Sequence, residues 1–209
     1  KLGGTCLHQG CIPTKALLHA AEVADVTREA AHFGVNAAFD GIDIGKVRAY
    51  QEGVVSRLYK GLQGLVKAAG ITYVEGSGRL SAADTVQVGE RTLVGRHVVL
   101  ASGSSPKTLP GVPTGGRIMT SDQALRLADL PARVIVLGGG VIGVEFASIL
   151  AGFGAKVTVV EALPRLVAGE DVAISAQLER AFRRRKIVVR TGVALASATK
   201  SVAKSPDAT

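Results

Sequence analysis

Cysteine is scarce in this sequence: only two of its 209 residues are cysteines, and both lie within residues 6–11. Two cysteines are too few to hold together a small secreted scaffold, and a close pair in a cytosolic chain more often takes part in redox or metal chemistry. Long apolar runs are also lacking, because the longest mostly apolar stretch, residues 134–144, is interrupted by glycines and followed by Glu145. That stretch is well short of the roughly 18 residues of a membrane span, so we expect no membrane protein.

The amino-terminal residues lack the clean apolar core of a signal peptide, because cysteine, histidine, proline and lysine occur among them. A cytoplasmic protein is therefore predicted. No initiating methionine is present and the first residues already form a motif, from which we expect a fragment of a longer protein. The composition, 47% hydrophobic and 20% charged, is typical of a globular protein.

The net charge is +8, but the basic residues are scattered apart from one run at residues 183–186. Positive charge at the end of a predicted helix complements the negative pole of that helix, and most such runs are simply solvated. No aromatic residues are interleaved with the run and no binding motif lies near it. The sequence therefore predicts no nucleic-acid partner.

The first half of the chain has helical periodicity followed by short β-type runs. Apolar spacing predicts a helix over residues 12–31, with Gly34 as its stop, and a longer helix over residues 44–69. Glycine and aspartate then separate four runs that predict a small antiparallel meander: ITYVEG (71–76), TVQVG (85–89), RTLVG (91–95) and HVVLA (97–101). The turn-rich residues 102–116 indicate a connection between domains.

After Pro131 the pattern alternates between strands and helices around a glycine turn at residues 138–143. The predicted elements are a strand at 133–137, a helix at 144–153, a strand at 155–161, a helix at 172–185 and a strand at 187–190. This β-α-β-α-β order is typical of a nucleotide-binding half-domain, so the fold class is predicted to be α/β.

The glycine turn, GGGVIG, fits the pattern G-x-G-x-x-G between a strand and a helix. In that pattern Gly138 permits a tight turn, Gly140 lets the backbone approach a pyrophosphate, and Gly143 lets helix and strand pack closely. The phosphates then lie at the helix amino terminus, where free N–H groups favour anions. A glycine turn that binds nothing is the alternative.

An acid follows the next strand: Glu161 lies 23 residues after Gly138, close to the roughly 20 expected of a ribose-binding acid. It would accept a hydrogen bond from a ribose 2′-hydroxyl and repel a 2′-phosphate, which favours NAD over NADP. Arg165 leaves open the opposite possibility, that an arginine serves a 2′-phosphate. The candidate NAD-binding residues are Gly138, Gly139, Gly140, Val141, Ile142, Gly143, Glu145 and Glu161.

The two cysteines, Cys6 and Cys11, cannot form a bridge within one regular helix, where residues five apart are separated by about 140° and about 7.5 Å. Gly10 supplies the freedom for an irregular backbone, and Pro13 suits the first turn of a helix. A helix amino terminus and the nearby Lys15 would both stabilise a thiolate at Cys11.

Buried thiols, a structural disulfide and half of a zinc site are the alternatives for this pair. His8 and His19 flank the cysteines without a recognised ligand spacing, so no metal site is predicted.

Several stretches together resemble the flavin-dependent pyridine nucleotide-disulfide oxidoreductases. They are GGTCLHQGCIPTKALLH at 3–19, GLQGL at 61–65, YVEGSGRL at 73–80, HVVLASGSSPKTLPG at 97–111 and RVIVLGGGVIGVEFAS at 133–148. Glutathione and mercuric reductases share the cysteine spacing, but CIPTKALLH and the acidic Glu161 are most similar to the dihydrolipoamide dehydrogenases.

The resemblance implies two Rossmann-like nucleotide-binding domains. Residues 1–128 would be an FAD-binding domain that includes the β-meander but lacks its amino-terminal strand and phosphate turn, and residues 129–209 a partial NAD-binding domain. The catalytic base is expected beyond Thr209, and the fragment alone is expected to hold FAD poorly and to be inactive.

The resemblance also implies roles for individual residues. Cys6 and Cys11 would form the redox-active disulfide, with Cys6 facing the substrate and Cys11 facing the flavin. The implied FAD-binding residues are Lys15, Gly76, Ala101, Ser102 and Gly103. The implied reaction oxidises protein-bound dihydrolipoamide and reduces NAD⁺, with lipoyl domains of 2-oxo acid dehydrogenase complexes as partners and a homodimer as the full-length assembly. A related glutathione-type or mercuric reductase and a non-catalytic nucleotide-binding module remain the alternatives.

Overall fold

Three helices open the chain in the computed structural model, which describes residues 1–198. They are α1 (Gly4–Gln9), α2 (Cys11–Glu29) and α3 (Ile44–Ala68), and a short 3-10 turn at Ala30–Phe33 extends α2. Gly34 ends that turn with φ 76°, a left-handed conformation that glycine adopts without steric cost. The Asp43 side chain accepts from the backbone N–H of Lys46 at 3.0 Å and so caps α3. Both predicted helices and the predicted stop are confirmed.

The predicted meander is present, but two of its predicted strands are wrong. The antiparallel sheet consists of β1 (Gly78–Ala82), β2 (Thr85–Val88) and β3 (Arg91–Val94) in that order. Residues 71–76 and 97–101 are not strands, and GRLSA, which has little β-type character, forms β1 by pairing with β2.

Both strand predictions, at 71–76 and 97–101, failed because a strand forms only where another strand can pair with it. A strand needs a neighbour for its backbone hydrogen bonds, and within residues 1–198 no strand lies alongside 97–101. Val99 and Leu100 in that run are 86% and 74% exposed. Apolar, β-branched composition therefore predicted strands at positions where the described residues offer no partner.

A parallel sheet of order β4-β5-β6 forms the second half. The short helix α4 (Ser121–Ala124) precedes it. The strands of the sheet are β4 (Arg133–Leu137), β5 (Lys156–Val160) and β6 (Val188–Arg190), joined by α5 (Val141–Gly152) and α6 (Val172–Arg184). Val157 and Val159 of the central strand are almost completely buried. The predicted β-α-β-α-β order is confirmed, and the fold is α/β.

The hydrophobic core continues from the parallel sheet to the amino-terminal helices. Leu17 and Ala21 of α2 are buried together with Leu125 and with Phe146 and Ile149 of α5. This packing requires a small residue at the contact, since a Cβ at position 152 would lie 2.7 Å from the Cβ of Ala21. The helix that carries Cys11 is therefore packed directly on the helix that follows the glycine turn.

Polar contacts reinforce the contact between these helices. Arg28 of α2 donates to the carbonyl oxygen of Gly152 at 2.7 Å. Arg185, at the end of α6, pairs with Asp25 of α2 at 2.9 Å and donates to Ser148 O at 3.2 Å. One arginine of the basic run therefore joins three helices rather than being only solvated. No helix among the described residues is both long and apolar enough to span a membrane.

Candidate functional site

The two cysteines lie on either side of a break between helices. Cys6 belongs to α1 and Cys11 is the first residue of α2, with Gly10 between the helices at φ −140° and ψ −116°. The buried Thr14 hydroxyl donates to Gly10 O at 2.7 Å and holds the break in place. A Cβ on Gly10 would lie only 3.1 Å from Thr5 O. The predicted irregular backbone at Gly10 is confirmed, and Thr14 is a supporting residue that the sequence pattern did not reveal.

Both cysteines are exposed, and the structure shows them as free thiols. The hydrogen bond with Cys11 is the largest of the influences that raise the pKa of the Cys6 thiol. Loss of hydration acts in the same direction, and the positive charge of Lys15 opposes both. The Cys6 thiol consequently keeps its proton to higher pH than an ordinary cysteine.

Lys15 and Glu145 form an ion pair between α2 and α5. The Lys15 Nζ and Glu145 Oε1 atoms are 2.5 Å apart, and the side chains are 59% and 21% exposed. The hydrogen bond to Glu145 raises the pKa of the Lys15 amine. Sequence reasoning assigned these residues to two different cofactors. The structure brings them together, next to the cysteine turn and one turn into the helix that follows the glycines.

An open cleft of about 1030 Å³ lies beside α1 and α3. Ala101, Ser102 and Gly103 line it together with Thr5 and His8 of the cysteine-bearing helix α1. Gly103 has φ 86° and its Cβ position lies 3.9 Å from the Thr5 hydroxyl. Three of the five implied FAD-binding residues are therefore gathered in one cleft next to the cysteines.

The buried side chain of Gln51 braces the wall of this cleft. Its Nε2 donates to Pro13 O at 3.4 Å and to Leu125 O at 3.3 Å, which joins α3 to α2 and to the segment before β4. A lone glutamine within a helical pattern gave no sequence signal for this role.

Gly76 and Lys15 do not line the cleft. Gly76 lies against the meander with φ 153°, where a Cβ would come within 2.5 Å of Val88 Cγ1. Packing on β2 is therefore a sufficient reason for glycine at this position.

The glycine turn has the geometry that its pattern predicts. Gly138 has φ 105° and donates to Val160 O at 2.9 Å, and a Cβ on Gly143 would collide with Gly138 O. Gly140 precedes α5 with open space around it and without a side-chain cap. The first N–H groups of Val141 and its neighbours in α5 therefore remain available to an anion.

Glu161 follows β5 and reaches the glycine turn. Its carboxylate accepts from Gly139 N at 2.5 Å and from Leu163 N at 2.7 Å. The acid and the glycines are thus adjacent, as the ribose-and-pyrophosphate interpretation requires. Gly139 has a further reason to be glycine that sequence reasoning missed, because its Cβ would lie 2.5 Å from Leu166 Cδ2.

Metal-binding geometry is not found in residues 1–198, where no three His, Cys, Asp or Glu side chains are grouped so that they could hold an ion. The chemistry that the described residues support is thiol exchange at one end of α2 and anion binding at the start of α5.

Comparison with known proteins agrees with this arrangement. The family model of pyridine nucleotide-disulphide oxidoreductases matches residues 1–205. A dihydrolipoyl dehydrogenase of Bacillus subtilis is 42% identical over 206 residues, covering 92% of this chain and 44% of that protein. The same-named protein of Chlorobaculum parvum is 40% identical over 200 residues, covering 93% and 43%.

Solved structures give the same result. LpdA from Mycobacterium tuberculosis aligns with a TM-score of 0.82 at 26% identity, covering 96% of this chain and 46% of that one. The HOCl-induced flavoprotein disulfide reductase RclA from Escherichia coli aligns with a TM-score of 0.65 at 28% identity, covering 92% and 41%. The chain spans less than half the length of these relatives. It belongs to the pyridine nucleotide-disulphide oxidoreductase family.

Proposed function

We propose that this chain supplies the redox disulfide and nucleotide-binding surfaces of a dihydrolipoamide dehydrogenase, which oxidises protein-bound dihydrolipoamide and reduces NAD⁺. The observation that carries the proposal is the cysteine turn itself. Gly10 lets Cys6 and Cys11 meet, and the ion pair of Lys15 with Glu145 packs that turn onto the helix that begins at the glycine turn.

Two domains follow from this proposal. Residues 1–128 belong to an FAD-binding domain and residues 129–209 to part of an NAD-binding domain, each Rossmann-like; residues 199–209 of the second lie outside the described residues. The open cleft fits FAD because it lies beside the cysteine helix and is lined by the backbone turn at Ala101, Ser102 and Gly103. The uncapped start of α5 and the Glu161 carboxylate fit the pyrophosphate and ribose of NAD. Lys15 and Gly76 are proposed as further FAD-binding residues, without a contact to the cleft.

The thiol chemistry assigns unequal roles to the cysteines. With the disulfide formed, a dihydrolipoamide thiolate attacks Cys6 Sγ, the Cys6–Cys11 bond breaks, and its electron pair goes to Cys11 Sγ. The second substrate thiol, as thiolate, attacks the sulfur now bound to Cys6. Lipoamide leaves with its disulfide closed, and the Cys6 thiolate takes a proton. Two electrons pass from substrate to protein, which ends with a Cys6 thiol and a Cys11 thiolate. Of the two protons that the substrate thiols lose, one goes to Cys6 and the other to solvent.

The raised pKa of Cys6 agrees with this order of steps, because Cys6 keeps its proton after lipoamide leaves. Bound FAD would supply the two-electron carrier between the reduced cysteines and NAD⁺. Lys15 holds positive charge beside the cysteine turn, and its pair with Glu145 fixes where that charge lies. Lipoyl domains, a homodimeric assembly and a cytoplasmic location are part of the same proposal.

The test is a substrate comparison on the FAD-loaded full-length protein, since this chain alone is expected to be inactive. NAD⁺-dependent oxidation of dihydrolipoamide is measured beside NADH- and NADPH-dependent reduction of glutathione disulfide and of mercuric ion. We expect turnover with dihydrolipoamide and NAD⁺ well above the other pairs. Faster reduction of glutathione disulfide or mercuric ion would assign the protein to another branch of the family, and no turnover with any pair would favour a nucleotide-binding module.

A further inference from the structure

The segment between β5 and α6 fits against the glycine turn. Val167 N donates to Gly139 O at 2.7 Å, and Leu166 is fully buried in the place that a side chain on Gly139 would occupy. Leu166 N is in turn 3.4 Å from Glu179 Oε1 of α6. The shape of the turn and the path of residues 163–170 are therefore fixed together.

One arginine holds this segment in its folded path. Arg165 Nη1 donates to Glu170 O at 2.8 Å and to Ser175 Oγ at 2.7 Å, and Nη2 donates to Ala168 O at 2.6 Å. The buried Ser175 hydroxyl donates onward to Leu166 O at 2.7 Å. The guanidinium closes the segment on itself and anchors it to α6.

The backbone at Val167 shows that the segment is held under constraint. Its φ is 43°, in the left-handed region that β-branched residues avoid, and its side chain is 7% exposed. Such a conformation persists only where surrounding contacts determine it, and it occurs most often at functional sites. Here those contacts are the bond to Gly139 O and the bonds from Arg165, which precedes Val167, to Ala168 O and Glu170 O, which follow it.

Glu161 depends on both parts of this arrangement. One carboxylate oxygen accepts from Gly139 N in the turn and the other from Leu163 N in the segment. Displacement of the segment would therefore move the carboxylate and release the turn.

We propose that Arg165 is a positioning residue of the dinucleotide site: it fixes Glu161 and the glycine turn and does not itself bind a 2′-phosphate. The inference rests on the proposed NAD site. Because three hydrogen bonds already occupy the guanidinium, loss of Arg165 weakens NADH and NADPH binding by the same factor. A 2′-phosphate ligand would affect NADPH alone.

The test is fluorescence titration of the full-length protein with NADH and with NADPH, at a temperature where circular dichroism shows every variant folded. The variants are Arg165→Ala, Glu161→Ala, the double variant, and Arg180→Ala as a control. Arg180 is exposed on α6, so its replacement removes the same charge nearby.

Arg165→Ala is expected to raise both dissociation constants about tenfold, within the range of couplings between contacting residues. Because Arg165 acts largely through Glu161, the same change in the Glu161→Ala background should raise the NADH constant less than about threefold. Arg180→Ala should leave both constants unchanged.

Three outcomes contradict the inference in different ways. Equal NADH binding by Arg165→Ala and the unaltered protein would leave Arg165 a purely structural residue. Loss of NADPH binding alone, or full additivity with Glu161→Ala, would assign Arg165 a direct or independent role. If the unaltered protein binds no NADH, the proposed NAD site is wrong, and the inference falls with it.

Discussion

Replacement of Glu161 tests the link between the glycine turn and the choice of dinucleotide. The carboxylate accepts two backbone hydrogen bonds, a partly buried one from Gly139 at 2.5 Å and an exposed one from Leu163 at 2.7 Å. Glu161→Gln keeps one oxygen, which can serve Gly139, and loses the exposed bond. Glu161→Ala loses both bonds.

The magnitudes follow from the number of charged hydrogen bonds lost. A hydrogen bond to a charged group contributes about 1.5–3 kcal/mol, and exposure places the Leu163 bond at or below the lower end. We expect Glu161→Gln to lower the free energy of unfolding by about 1.5 kcal/mol and Glu161→Ala by about 3 kcal/mol, measured by urea denaturation. Glu170→Gln removes an exposed charge nearby and should change it by less than about 0.5 kcal/mol.

Cofactor binding is measured on the same variants. The unaltered protein should bind NADH more tightly than NADPH, and Glu161→Ala should erode that preference because it removes the negative charge that repels a 2′-phosphate. The reasoning is refuted if the unaltered protein binds both equally well. It is also refuted if Glu161→Ala leaves both the unfolding free energy and the binding ratio unchanged.

Three further predictions concern the turn, the thiols and the helix contact. Gly143→Ala should cost at least about 1–3 kcal/mol of stability because its Cβ meets a backbone oxygen. Gly61→Ala, in open space on α3, should raise the free energy of unfolding by about 0.5–1 kcal/mol. Equal effects of Gly143→Ala and Gly61→Ala on that free energy would contradict the packing role of Gly143. In the dithiol state, Cys11→Ala should lower the midpoint pH of Cys6 alkylation, because the sulfur contact raises the pKa of Cys6; an unchanged midpoint would argue against that contact. Arg185→Ala should lower the free energy of unfolding by about 0.5–1 kcal/mol, since its ion pair with Asp25 is partly exposed. An unchanged free energy of unfolding in urea denaturation would contradict the role of Arg185 in joining the helices.

The sequence predicted those features of the fold that depend on residues close together in the chain. Gly34 ends its helix, Asp43 begins the next one, and the glycine turn separates β4 from α5, because backbone conformation and capping act over a few residues. The adjacency of Glu161 and the turn followed from the parallel order of strands.

Contacts between distant segments could not be predicted in the same way. Lys15 and Glu145 are 130 residues apart, and nothing in either helix's periodicity specifies that they pair. The strand predictions at 71–76 and 97–101 were wrong because apolar composition does not supply a hydrogen-bonding neighbour. Arg165 was considered as a phosphate ligand because it lies just past the strand that ends near Glu161. Its partners in the structure are mostly backbone carbonyls, which carry no residue-type signal that the sequence could reveal.

The most direct test of the account is a comparison of the visible spectra of Cys6→Ser and Cys11→Ser in the FAD-loaded full-length protein. If Cys11 is the thiolate beside the flavin, Cys6→Ser should show a long-wavelength absorbance band without added reductant and should have no lipoamide turnover. Cys11→Ser should show neither the band nor turnover. A structural disulfide instead predicts that both variants lose stability, typically about 2–4 kcal/mol for a native bridge and less for so short a loop, with no new band in either. Identical spectra for the two variants would contradict the unequal roles assigned to the cysteines.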